Sequence, residues 1–195
     1  NILRGQWNKE LKLEILLMET YSILIKHANC YLVKVDDFYV AIDAGWPGYI
    51  NKYKEALQTC NIKPESIKYL VVTHFHPDHA GLIENIKKFG TSFILFQHQV
   101  PYIRVMEHMY RNDKSYLPLD MNSNVVLSID ESEMFFKENN IPALAVKTVG
   151  HSDDSISVVF KDGTAFIGDL YPLELIMEGD EKSRQSWHDL KLKGA

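Results

Sequence analysis

Directly after the apolar run Ile67 to Val72, the chain reads Thr73-His74-Phe75-His76-Pro77-Asp78-His79-Ala80-Gly81. Four side chains able to bind a metal, three imidazoles and one carboxylate, fall within six residues. No other stretch constrains the fold as strongly. Without a metal, three histidines and an aspartate carry a large desolvation cost. The apolar run reads as a buried strand, so the cluster sits at a strand end. His74 and His76 stand two apart on an extended segment, and both can point into one pocket. Asp78 and His79 start the next helix and can face a second ion, while Pro77 stiffens the link between the pairs. Imidazole nitrogen and carboxylate oxygen suit zinc, iron or manganese.

Around the cluster, strand and helix signals alternate. Ile15 to Ile25 reads as a strand. Asn29 to Val35 and Phe38 to Ile42 read as hairpin arms turned at Asp36-Asp37, and the second arm runs out into Asp43-Ala44-Gly45. Pro47 and Gly48 open a helical stretch with Ile50, Tyr53 and Leu57 at helical spacing. Leu82, Ile83, Ile86 and Phe89 mark a helix that Gly90 stops, followed by a strand from Ser92 to Phe96. Residues 98 to 124 break the alternation and read as a helical insertion with a loop. Its Tyr and Met side chains are expected to pack a helix and to border a pocket mouth. Val125 to Ile129 is a strand, and Asp130 with Glu133 fits an acidic capping box opening a short helix. A strand from Leu144 to Val149 ends at Gly150-His151. Ser155 to Phe160 and Thr164 to Ile167 flank Asp162-Gly163, a strong hairpin signal, and the second arm ends at Gly168-Asp169. The tail from Asp180 to Lys193 reads as a helix. Hairpins together with β-α-β units predict an α+β fold of two mixed β-sheets covered by helices. Residues 1 to 14 show no clear period and remain unassigned.

The 195 residues suit one domain, or one with an insertion. A net charge of −5 shows none of the basic excess that nucleic-acid binders carry, so no nucleic-acid partner is expected. No apolar run nears the ~20 residues that span a bilayer, and no membrane partner is expected. Cys30 and Cys60 form no C-x-x-C pair and lean toward a reducing, cytoplasmic compartment.

The pattern T-H-x-H-x-D-H-x-G at 73–81 resembles the signature of the metallo-β-lactamase superfamily. Thr148-Val149-Gly150-His151-Ser152 is similar to that family's strand-end histidine segment, and Gly168-Asp169 to its strand-end aspartate. Ile42-Asp43-Ala44-Gly45 is similar to its first aspartate-glycine strand end. Four segments in the right order make the resemblance specific; it runs from about Ile15 to Asp169. It implies an αββα sandwich over residues 15–195, with two sheets face to face and helices outside. It also implies that His74, His76 and His151 bind a first metal, that Asp78 and His79 bind a second, and that Asp169 bridges both. Asp43 would stand behind a ligand imidazole and fix its tautomer. The metal implied is zinc, two ions per chain in the full-length protein, with iron or manganese as alternatives. The family's further histidine beyond Asp169 has no clear counterpart here. Only His188 follows, inside the predicted helix, so a C-terminally truncated domain with a weaker second site is expected.

The activity implied is hydrolysis by a metal-bound hydroxide, with Asp78 and Asp169 as catalytic carboxylates. His79 with Asp169 resembles the glyoxalase II and lactonase branches, so the expected substrate is a small ester, thioester or lactone. A phosphodiesterase of the same fold is the alternative, and a redox or non-catalytic metal-binding module is another. His76 stands where di-iron redox relatives typically have glutamate, which argues against the redox reading. A small-molecule substrate is the expected partner, and a homodimer is compatible with the sequence. His27, His98, His108 and His188 lack a ligand-type context, although His98 follows a strand and could line the pocket. Tyr171, two residues past Asp169, is expected to pack.

Overall fold

The computed structural model describes residues 2–3 and 18–195. Residues 1–14, unassigned by sequence, lie outside this range except for a two-residue strand, β1 (Ile2–Leu3). Residues 15–17 of the predicted first strand also lie outside it. The chain divides into two compact units, one spanning 19–128 and one containing 129–195 with the described residues 2–3 and 18.

The first unit holds a six-stranded mixed sheet. Its strands are β2 (Thr20–Ile25), β3 (Ala28–Val35), β4 (Phe38–Ile42), β5 (Ile67–Val71), β6 (Ser92–Phe96) and β7 (Val125–Leu127), in that spatial order. The first three pair as antiparallel hairpins. Asp36 takes a left-handed conformation (φ 49°) in the β3–β4 turn, as the Asp36-Asp37 signal requires. From β4 onward the pairing is parallel, so each link needs a crossover. These crossovers are α1 (Ile50–Thr59), the short pair α2 (Pro77–Ala80) and α3 (Ile83–Lys87), and α4 (Val100–Tyr110). Parallel strands are covered on both faces, and β5 and β6 are buried almost throughout. Tyr53 and Leu57 of α1, Ile86 of α3 and Met106 of α4 pack into one core with Leu70 and Phe93.

Two predicted features differ here. The helix expected over 82–89 is shorter and follows a separate turn, α2, because the chain leaves helical geometry at Leu82 (φ −111°, ψ 13°). A Cβ on Gly81 would lie 2.3 Å from Pro47 Cδ and 2.5 Å from the Pro77 carbonyl, so only glycine fits. Residues 98–124 do contain the expected helix and loop, but they also form the β6–β7 crossover. Ile103, Met106, Tyr116 and Leu119 are buried in the core, so this stretch is structural as well as peripheral.

The second unit holds a four-stranded sheet in the order β1, β10 (Ala165–Phe166), β9 (Ile156–Phe160), β8 (Ala143–Lys147), antiparallel at each described pairing. The Asp162-Gly163 turn forms as expected. Gly163 has φ 82°, and the Asp162 carboxylate accepts from the Thr164 backbone (2.9 Å) and hydroxyl (3.0 Å). Helices α5 (Ile129–Glu138) and α6 (Glu181–Leu192) complete the unit. The predicted β7 end is overwritten: Ile129 is helical. Asp130 and Glu131 therefore lie in the first turn of α5, where their charge favours the helix dipole, instead of Asp130 capping it. Trp187 and Leu190 of α6 pack with Val146, Val159 and Ile176. Among the described residues no helix is long and apolar enough to cross a membrane. The α+β class read from the sequence holds.

Candidate metal centre

In the first unit, the ends of β4 and β5 carry the chemistry. The Asp43 N–H donates to the Val71 carbonyl (2.9 Å), which keeps the two strand ends in step. Asp43 then turns into the left-handed region (φ 64°), a conformation that aspartate tolerates better than most residues. Its carboxylate is thereby aimed inward and is almost fully buried. Oδ1 accepts the Thr73 backbone N–H at 2.7 Å, and both oxygens lie 3.0 Å from the Thr73 hydroxyl. Oδ2 lies 2.8 Å from His79 Nδ1.

These contacts favour one tautomer in each of two rings. A hydroxyl has one proton to give. If Thr73 Oγ gives it to Asp43, it can accept from His74 Nδ1, 3.1 Å away. His79 Nδ1–H likewise donates to Asp43. In both rings Nδ1 carries the proton and Nε2 is left with its lone pair. His74 is completely buried, and its Nε2 lies 2.9 Å from His76 Nδ1. The rings of His74 and His79 are 4.2 Å apart between centroids. His79 Nε2 lies 3.5 Å from a carboxylate oxygen of Asp78. Two lone-pair-bearing groups facing each other require a proton or a cation between them. Two imidazoles on one zinc, each about 2.0–2.1 Å from it, lie no more than ~4 Å apart, so the spacing and donor types suit such an ion.

Local structure explains why the cluster is presented this way. His76 is extended (ψ 152°), Pro77 occupies the first position of α2, and the N–H groups of His79 and Ala80 both donate to the His76 carbonyl. That turn swings Asp78 and His79 back beside His74. Gln99, fully buried, holds the strand end from behind, donating from Nε2 to the carbonyl of Val72 at 3.2 Å. The ring of Tyr110 comes near enough to Asp78 for the carboxylate to add to the upward shift that burial causes in its phenol. Burial pushes the Cys30 thiol up as well, with further contributions from Asp43 and Asp78.

In the second unit, His151 and Asp169 come together. His151 follows β8, and Asp169 follows β10 by way of Gly168 (φ 56°). His151 Nε2 and Asp169 Oδ2 are 3.6 Å apart. Helix α6 supports this pair: the Ser186 hydroxyl donates to the Val149 carbonyl (2.6 Å), and Trp187 Nε1 to the Tyr171 carbonyl (2.8 Å). A Cβ on Gly150 would lie 2.3 Å from Ser183 Oγ, so glycine is needed beside His151.

The sequence-predicted residues thus fall into two groups: Asp43, His74, His76, Asp78 and His79 in one unit, His151 and Asp169 in the other. Among the described residues, His27, His98, His108 and His188 join no candidate metal group. His98 turns toward Phe96, and His108 meets Arg111. Sequence reasoning gave no role to Thr73 or Gln99. Thr73 opens the motif, so its position was a usable signal. Gln99 carries none, since the strand-end carbonyl that it reaches lies 27 residues away.

Comparison with known proteins bears on the fold and the family. The chain is 25% identical over 148 residues to the uncharacterized protein YobT of Bacillus subtilis (strain 168), covering 74% of this chain and 62% of that protein. It is 32% identical over 84 residues to beta-lactamase-like protein 2 homolog of Caenorhabditis elegans, covering 42% of this chain and 26% of that protein. The chain therefore spans less than two thirds of these relatives. Among solved structures it is similar to BJP-1, a subclass B3 metallo-beta-lactamase of Bradyrhizobium japonicum, with a TM-score of 0.63 and 15% identity over 89% of this chain and 71% of that one. The native FEZ-1 metallo-beta-lactamase of Legionella gormanii gives a TM-score of 0.59 at 17% identity, over 89% of this chain and 70% of that one. At such identities the likeness shows the fold alone. The family model described as "Metallo-beta-lactamase superfamily" matches residues 25–181, a span that takes in Asp43, the 74–79 cluster, His151 and Asp169. The chain belongs to the metallo-beta-lactamase superfamily.

Proposed function

We propose that this chain is a zinc-dependent hydrolase of a small ester, thioester or lactone. The observation that carries the reading is the placement of Thr73 and Asp43 against Nδ1 of His74 and His79, which favours a proton there and a lone pair on each Nε2. A protein that used these histidines only for packing would gain nothing from burying Asp43 behind them, because a buried carboxylate is costly unless every contact it makes is needed. In this reading His74, His76, Asp78 and His79 of the first unit and His151 and Asp169 of the second are metal ligands. When bound, zinc would lower the pKa of water to about 7 and polarise a substrate carbonyl. The protein's own groups do the rest. Asp43 keeps the His79 ring fixed through Nδ1, and Thr73 does so for His74. Asp78 and Asp169 supply negative charge that offsets the charge of the ions. The two free cysteines support a reducing, cytoplasmic location.

The test is a panel of chromogenic esters, thioesters, lactones, phosphodiesters and β-lactams with the zinc-loaded chain. Turnover of one of the first three classes is expected, falling by about two orders of magnitude or more in Asp169→Ala. Turnover confined to phosphodiesters would move the assignment to that branch of chemistry. Full activity in Asp169→Ala would remove Asp169 from the ligands.

A further inference from the structure

Two residues after Asp169 the chain runs Tyr171-Pro172-Leu173-Glu174-Leu175-Ile176-Met177. Four of its apolar side chains, Tyr171, Leu173, Leu175 and Met177, are exposed, the last two at 69% and 80%. Single exposed hydrophobics are ordinary, but a contiguous set is a mark of a binding surface. The segment is also held in place. Ile176 is buried as a peg in the core beside Trp187. Trp187 Nε1 donates to the Tyr171 carbonyl at 2.8 Å, and Arg184 Nη2 reaches the carbonyls of Ile176 (3.4 Å) and Met177 (3.5 Å). The Leu175 N–H closes a turn onto the Pro172 carbonyl at 2.8 Å. Both ends are thus tied to α6 while the apolar groups face water. The surface is continuous with the site, since the Tyr171 ring meets the His151 ring edge-on with centroids 6.4 Å apart.

We propose that residues 171–177 form a platform for the acyl chain of the substrate, so that the chain acts on esters or thioesters of medium-length, uncharged acyl groups. The proposal rests on the hydrolase reading above. Charge selects among possible occupants. Glu174, Glu178 and Glu181 lie exposed along the segment and its exit and outnumber the neighbouring cations Lys182, which pairs with Asp153, and Arg184, a balance that disfavours phosphate or carboxylate headgroups. An uncharged alkyl chain leading to the carbonyl beside His151 meets no such penalty. An open platform covers about half of such a chain. Each added methylene should then improve binding about twofold, against about fourfold for full burial.

The experiment uses calorimetric titration of the metal-loaded chain with neutral, non-hydrolysable methyl ketones from butyl to dodecyl. Ketone binding can be read whether or not any ester is turned over, so it fails separately from the hydrolase reading. A parallel series of acetyl to octanoyl thioesters gives kcat/KM. Affinity is expected to rise by about twofold per methylene in the wild-type chain. In the double variant Leu175→Ser/Met177→Ser the rise should be largely lost. Leu192→Ser, equally exposed on α6, should keep it and so controls for general surface effects. Thermal melts confirm that the variants fold. Affinity independent of chain length, or a double variant that binds like the wild type, overturns the proposal. So does partition into phosphatidylcholine vesicles without ketone binding, or a Leu175-dependent dimer that masks the surface.

Discussion

At the scale of single residues, Asp43 shows how a side chain thirty positions from its partners can govern a candidate metal ligand. Its carboxylate accepts from Thr73, and its Oδ2 lies 2.8 Å from His79 Nδ1, where it favours a proton on that nitrogen. Asp43→Asn keeps the shape but turns an amide N–H₂ toward Nδ1 or toward Thr73. His79 would then move its proton to Nε2, the nitrogen needed for metal. Zinc affinity, measured by competition with a chromophoric chelator, is expected to fall about 10–100-fold with the melting temperature of the metal-free chain changed far less. Unchanged affinity would remove Asp43 from the site. Asp43 was legible as a candidate from the Asp43-Ala44-Gly45 strand end, and the candidate ligands from their dense spacing. The Thr73 hydroxyl bridge was not, because a hydroxyl's role depends on which groups a turn brings to it. Gln99 was illegible for the same reason.

At the scale of elements, legibility followed locality. The hairpin turns at Asp36-Asp37 and Asp162-Gly163 were readable because turn chemistry is written in adjacent residues. The start of α5 moved by one residue because Ile129 serves either a strand or a helix, and only the fold decides between them. The stretch 98–124 looked like an insertion because its partners are distant in sequence. In the structure α4 inserts Ile103 and Met106 into the main core while Met109 faces water. Met106→Ala is therefore expected to cost about 2–5 kcal/mol in chemical denaturation. Met109→Ala should stay within about 0.5 kcal/mol of the wild type. Equal effects at the two positions would contradict the placement of α4. Deleting the segment should unfold the first unit instead of only changing substrate preference.

At the scale of the whole molecule, metal binding and folding are linked. The candidate ligands are arranged only in the native state, so a metal that prefers that state stabilises it. At a free zinc concentration about 100 times the Kd the gain is ~2.7 kcal/mol, and a chelator should lower the melting temperature accordingly. A melting temperature indifferent to zinc and chelator would mean that the histidines are structural. The central claim is that this chain carries a first-row metal on the histidine cluster. Its most direct test is the metal content of the purified protein and of His76→Ala, by inductively coupled plasma mass spectrometry. The account predicts at least one zinc per wild-type chain and a marked loss in His76→Ala. A metal-free wild type that takes up no added zinc, or a His76→Ala chain that keeps the full complement, would contradict it.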